Sequence, residues 1–318
     1  MMKKNILPIT LLFAFIVILM GAYTRLSDAG LGCPDWPGCY GQLTVPQTES
    51  ELVAAQASHP EAMPVSQEKA WPEMIHRYLA GSFGLCIIAL SCYLIRQKHY
   101  LKTGLTLLFL IIFQALLGLW TVTLKLHPVT VMLHLFGGFL TATLLFYMML
   151  NEKKSSPADR WGYTIFGAII LQILLGGWVS SNYAALICPD FPYCQGSFLP
   201  SFSLTAFNPL LPLGENYEYG ILDNTARVSI HLTHRYFAIV LSIGILSFLF
   251  YCFQKKLAPI KPLATITILL SIQILMGIFN VILLLPMHVA LSHNFFGLLL
   301  ILSWLWLLRN LNQPSQTA

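Results

Sequence analysis

The chain has 318 residues, of which 56% are hydrophobic and only 10% charged, and a formal net charge of +5. An ordinary water-soluble domain carries about 25% charged residues, so this composition excludes one. The Lys and Arg gather in a few short segments, so the net charge reports membrane topology and carries no nucleic-acid signal.

Eight apolar runs are long enough to cross the hydrocarbon core, which takes about 20 residues of helix. They lie at roughly 6–23, 74–95, 103–124, 129–150, 161–180, 227–252, 263–284 and 288–308. An all-α membrane protein with eight transmembrane helices follows. Lys3 and Lys4 precede the first run, as in a signal peptide. The run is long for that role, and an internal copy of it lies where no peptidase acts, so it is read as a retained helix. Segments 96–102, 151–160 and 254–262, the N-terminus and Arg309 hold 12 of the 18 Lys and Arg, and the opposite side holds 11 of the 13 acids. Basic flanks stay in the cytoplasm. Both termini are therefore placed there, and loops 25–73 and 181–226 outside. Nothing resembles an Arg- and Ser-rich transit peptide, which points to a multi-pass protein of a bacterial plasma (inner) membrane.

The first loop contains Cys33-Pro34-Asp35-Trp36-Pro37-Gly38-Cys39. Prolines fix φ and favour a tight turn, and external cysteines stay oxidised. Cys33 and Cys39 are predicted to form a disulfide or a redox-switchable dithiol. The polar stretch 48–69, with one helix-like piece near 51–57, is expected to cover the mouth of the first bundle.

At the second run the polar loop turns into Glu73-Met74-Ile75-His76-Arg77-Tyr78. Glu73 and His76, three apart, share a helix face. In the fourth run His134 stands six residues beyond Pro128, roughly 9 Å down the helix at 1.5 Å per residue. His76 and His134 are thus predicted at similar depth in the outer third of the membrane.

The second half copies the first. Cys188-Pro189-Asp190-Phe191-Pro192-Tyr193-Cys194 repeats the first cysteine motif at a shift of 155 residues. His234-Arg235-Tyr236 repeats His76-Arg77-Tyr78 at a shift of 158, and Gln273, Gly277, His293, Phe295 and Gly297 repeat Gln114, Gly118, His134, Phe136 and Gly138 at 159. Units of four helices each keep one orientation, as parallel repeats do. The predicted organisation is a four-helix unit at 1–150, a cytoplasmic linker at 151–160, a second unit at 161–310 and a tail at 311–318.

A membrane imidazole costs free energy unless something binds it. Imidazole nitrogen is a good iron ligand, and bundles hold cofactors between facing helices. His76 with His134, and His234 with His293, therefore suggest one haem site per half. A zinc site would need closer clustering and more ligands. Arg77 and Arg235 follow the proposed ligands, and an arginine fork suits a haem propionate, although snorkelling would use the same residues. His231 takes the place of Glu73 in the second copy, where it either hydrogen-bonds a propionate or water or only lines the wall of the site. Cys188 and Cys194 pair as the first two cysteines do, while Cys86, Cys92 and Cys252 fall in membrane helices. Glu73 is the asymmetric element. A carboxyl beside a haem ligand in only one copy is a candidate for proton transfer.

Thr24-Arg25-Leu26, Gly30-Leu31-Gly32, the Cys33–Cys39 motif, Glu73-x-x-His76-Arg77, His134, His234-Arg235 and His293 stand in this order on eight helices. Together they resemble the heme A synthase family over most of the chain. The resemblance implies an oxidoreductase that converts the methyl group at one edge of heme O to a formyl group, giving heme A for terminal oxidases. Heme O, the substrate, would lie between His76 and His134 with Glu73 as the catalytic carboxylate. His234 and His293 would hold heme b, and the haem sites would face the external side. The cysteine pairs would be the family's loop disulfides. Implied partners are membrane lipid, a farnesyltransferase that makes heme O, and an electron donor, quinol or a ferredoxin-like protein. The rivals are a non-enzymatic dihaem b-type cytochrome carrying electrons from quinol and a haem transporter or chaperone.

Overall fold

A computed structural model describes residues 5–60, 64–150 and 159–311. Lys3, Lys4, most of the predicted linker 151–160 and the tail beyond Leu311 lie outside the described residues. Among these, nine α-helices form: α1 (Leu7–Leu26), α2 (Glu49–Ser58), α3 (Gln67–Arg96), α4 (Leu101–Thr123), α5 (Pro128–Met149), α6 (Asp159–Ser181), α7 (Asn224–Gln254), α8 (Ile260–Ile282) and α9 (Met287–Asn310). All but α2 are long and apolar enough to cross a membrane, and the eight predicted spans correspond to them. The chain is a multi-pass all-α membrane protein.

Two helices begin earlier than their apolar runs. α3 starts at Gln67 and α7 at Asn224, because polar residues continue each helix beyond the apolar layer, where hydropathy no longer marks it. The side chain of Asp223 caps α7 by accepting from the Ala226 N–H at 2.9 Å. Pro72 lies inside α3 and removes one backbone donor. Its own carbonyl accepts from Thr24 Oγ1 at 3.1 Å, tying α1 to α3. Glu73 and His231 consequently sit inside helices, more than a turn from the start, and not at the helix openings that the sequence suggested. In loop 25–73, α2 is closed by a capping box between Thr48 and Glu51.

The chain divides into two compact units, Met1–Leu144 with Pro209–Ile221, and Leu145–Asn208 with Leu222–Ala318. The first unit pairs α1 with α3 and α3 with α4. The α4–α5 turn is made by Lys125 and Leu126 at φ 46° and 61°, a left-handed pair uncommon outside glycine. The segment Pro209–Ile221, which the sequence division placed in the second unit, packs on the first. The Tyr217 N–H donates to Lys125 O at 3.0 Å, Tyr217 stacks edge-on against His127 at 5.2 Å, and Lys69 meets Glu218 at 3.4 Å. Loop 25–73 therefore shares the end of that unit with a piece of the second loop.

In the second unit α6 packs on α7 and α8 on α9, and Leu284 and Leu285 repeat the left-handed pair at φ 57° and 62°. Its core is aromatic. Trp304 is fully buried, donates from Nε1 to Gly162 O at 2.9 Å, and lies 5.4 Å from Phe248, itself 5.1 Å from Trp161. Trp304→Ala removes both the ring and the bond. It should cost about 3–5 kcal/mol, seen as a lower thermal unfolding midpoint of the detergent-purified protein; an unchanged midpoint would contradict this packing.

Candidate functional site

In the first unit α3 and α5 bring His76 and His134 together, with ring centroids 6.3 Å apart and ring planes at 88°. The Nδ1 atoms of both rings are buried with no hydrogen-bond partner. Glycines back both rings. A Cβ on Gly21 of α1 would lie 2.8 Å from His76 Cε1, and one on Gly118 of α4 would lie 3.3 Å from His134 Cε1. Neither ring can retreat, because the space behind it is closed. Gln114 Nε2 holds the His134 carbonyl at 2.7 Å.

The second unit repeats these contacts. Cβ positions on Gly176 and Gly277 would fall 3.1 and 3.3 Å from the Cε1 atoms of His234 and His293. His293 Nδ1 is buried without a partner, and the two rings are close enough to interact electrostatically. Gln172, on α6, lies 3.1 Å from both His234 Nδ1 and the His234 carbonyl, and Gln273 Nε2 is 3.3 Å from His293 Nε2. Gln114 and Gln273 are visible in the sequence only as a repeat match. Gln172 has no such signal, since Val17 stands 155 residues before it.

These pairs suit a haem. Metal–imidazole bonds of about 2 Å on opposite sides of one ion put the ring centroids about 6 Å apart, close to the observed 6.3 Å. Orphaned ring nitrogens and glycine-backed rings leave a site defined by imidazoles from different helices. Among the described residues no three His, Cys, Asp or Glu side chains converge as a bare metal ion would require.

Glu73 is buried, 4% exposed. It accepts from the Cys33 N–H at 2.8 Å through Oε2 and from Arg77 Nη2 at 2.5 Å through Oε1. Arg77 Nη1 also donates to the carbonyls of Asp35, at 2.7 Å, and Gly38. In the second unit Arg235 reaches the carbonyls of Asp190, Pro192 and Tyr193. Both arginines hold loop backbone. His231 occupies the place of Glu73: its Nδ1 is 2.9 Å from Ala184 O and its Nε2 2.9 Å from Arg235 Nη2. With the proton on Nδ1, a neutral ring satisfies both contacts.

Cys33–Cys39 and Cys188–Cys194 are disulfides, all four cysteines fully buried. Each loop is organised by an aspartate. Asp35 accepts from the N–H groups of Tyr40 and Gly41, and Asp190 from those of Gln195 and Gly196. Tyr40 and Gln195 adopt φ 54°, and Gly41 and Gly196 φ 75°, a left-handed turn that glycine accepts without strain. The Gly196 N–H, with that of Gln195, holds the Asp190 carboxyl below its usual range. That stabilisation is complete above the ordinary value of 3.8 and is lost as the pH falls through the depressed value. Burial, with Glu73 and Asp35 nearby, raises the Tyr40 hydroxyl.

Residues 4–305 match the COX15-CtaA family, described as cytochrome oxidase assembly protein. The chain is 42% identical over 310 residues to a heme A synthase of Shewanella oneidensis, covering 94% of this chain and 93% of that protein. It is 27% identical over 330 residues to a heme A synthase of Wolbachia pipientis, with 94% and 95% covered. A heme A synthase of Shouchella clausii matches at 28% over 214 residues, 62% of this chain and 65% of that protein.

Arg77→Lys keeps the charge but loses the fork that grips the loop. Losing about 1–2 kcal/mol of hydrogen bonding should speed reduction of Cys33–Cys39 roughly tenfold, followed by alkylation of the released thiols in mild dithiothreitol. An unchanged rate would show that Arg77 does not secure the loop.

Proposed function

The chain belongs to the COX15-CtaA family, and we propose that it is a heme A synthase, an oxidoreductase acting on heme O. The observation that carries this reading is Glu73 beside only one of two duplicated histidine pairs. In overall balance –CH3 and H2O give –CHO with four protons and four electrons released, so the site needs a group that accepts protons and a route that carries electrons to an acceptor. Heme O is the substrate, held between His76 and His134. A haem b between His234 and His293 supplies redox chemistry when bound.

Glu73 lies one helical turn from His76 and is oriented by Arg77 and the Cys33 N–H. Its carboxylate is the proton acceptor at the substrate pair. A cavity of about 20 Å³, with room for one water, is bordered by Gly32, Tyr40, Ser66, Lys69 and Glu218. At the second pair both nitrogens of His231 are engaged, so that pair has no equivalent acceptor and binds without reacting.

The distribution of Lys and Arg supports both termini in the cytoplasm of a bacterial plasma membrane, two parallel-repeat four-helix bundles, and haem pairs toward the outside. A farnesyltransferase supplying heme O and a quinol or ferredoxin-like redox partner that exchanges electrons complete the scheme.

Purification from a host that makes heme O, followed by haem extraction, mass measurement and a pyridine haemochrome spectrum, tests the assignment. Heme b with heme O, a hydroxylated intermediate or heme A is expected; two equivalents of heme b alone would overturn it. Glu73→Gln retains an acceptor for the Cys33 N–H while removing the proton acceptor. Formyl-haem production should fall roughly 10²–10⁴-fold with haem content unchanged, and normal heme A would remove Glu73 from the chemistry. His234→Ala should lose the heme b spectrum.

A further inference from the structure

The turns that follow the two disulfides expose large apolar side chains where the helices beside them leave the hydrocarbon. We propose that these turns are lipid anchors, with Leu43 in the first unit and Phe198 and Leu199 in the second inserted into the border of the leaflet on the disulfide face.

The depth comes from charge spacing along the two longest helices. In α3 the 18 residues between Arg77 and Arg96 are uncharged, and in α7 and its end the 19 between Arg235 and Lys255 are too. At 1.5 Å per residue these stretches span about 27–29 Å, the thickness of the hydrocarbon core at about 30 Å. Arg77 and Arg235 therefore mark the edge of that core. The next residue in each helix fastens the turn to this level: Tyr78 Oη donates to Leu43 O at 2.5 Å, and Tyr236 Oη donates to Phe198 O.

Leu43 is 81% exposed, Leu199 82% and Phe198 53%. A single exposed leucine on a soluble protein means little. Here the exposure recurs in both units, at the same contact, and is continuous with the lipid-facing surface of the spans. Trp36 and Phe191, related by the repeat, are also exposed, as aromatic residues are at membrane interfaces. Lipid fits this surface: it is apolar at the tip and polar behind, where Arg77 and Arg235 bind the loop carbonyls. In the first unit the anchored loop is also the one whose Cys33 N–H holds Glu73, so lipid contact at Leu43 bears on the carboxylate.

The test uses the full-length protein in phosphatidylcholine nanodiscs, with a benzophenone amino acid replacing Leu43 or Leu199. Leu85, exposed within the α3 span, is the lipid-facing reference. Val53 is the outward control: it is exposed, and its helix packs through Ala55 against Ala70 and Met74, beyond Arg77. Intact mass spectrometry after irradiation should show a phosphatidylcholine adduct at positions 43 and 199 as strong as at 85, and little at 53. Absence of the adduct at 43 and 199 while 85 labels would overturn the proposal. So would cross-linking of these positions to a second polypeptide, or equal labelling at 53.

Discussion

Hydrocarbon offers no hydrogen bonds, so every polar group carried into the bilayer must find its partner within the protein or in something the protein holds. Most side chains in these spans meet that requirement locally. Thr106, Thr143, Ser242 and Thr267 each return a bond to the carbonyl four residues earlier, at 2.7–3.0 Å. Against that background the orphaned ring nitrogens of His76, His134 and His293 stand out, as do the side-chain amide oxygens of Gln114, Gln172 and Gln273, beside His134, His234 and His293. Glycines at 21, 118, 176 and 277 prevent the rings from turning away. A protein that spends four close backbone approaches on holding imidazoles in apolar surroundings is built around what those imidazoles bind.

Duplication separates framework from chemistry. What the units share, the aspartate-capped disulfide loop, the arginine on its carbonyls, the tyrosine below and the glycine-backed histidines, holds a binding site in place. What they do not share lies in the helical turn before the first histidine. Glu73 is bonded to a guanidinium and one amide. His231 spans a carbonyl and a guanidinium with both nitrogens, and a second proton would set it against Arg235. Under the proposed function, this difference separates a reacting site from an electron-carrying one.

The spans, the histidine pairs and the cysteine motifs were legible because each leaves a periodic or repeated mark. Apolar runs of about 20 residues define helices, and a common shift near 155–159 residues identifies the related positions. Other features leave no such mark. The outward extensions of α3 and α7 are polar, so hydropathy ends before the helices do, and Glu73 reads as a helix opening when it is helix interior. Arg77 and Arg235 sit where a propionate would be plausible, and only coordinates reveal that loop carbonyls use their donors. The grouping of Pro209–Ile221 with the first unit depends on Tyr217, Glu218 and Lys69, a long-range contact that no local pattern announces. Gln172 is unmatched in the other copy and equally silent.

Arg77 shows why the loop and the carboxylate must be considered together. Its guanidinium holds Glu73 with one nitrogen and the disulfide loop with the other, while the loop returns the Cys33 N–H to the same carboxylate. The three groups form a closed circuit, so moving any one displaces the others. In the second unit Arg235 likewise joins His231 to the loop, and the loop returns the Ala184 carbonyl to His231 where the first unit returns the Cys33 amide to Glu73. Orientation of the carboxylate thus depends on a loop whose own fold is fixed by Asp35 and the disulfide.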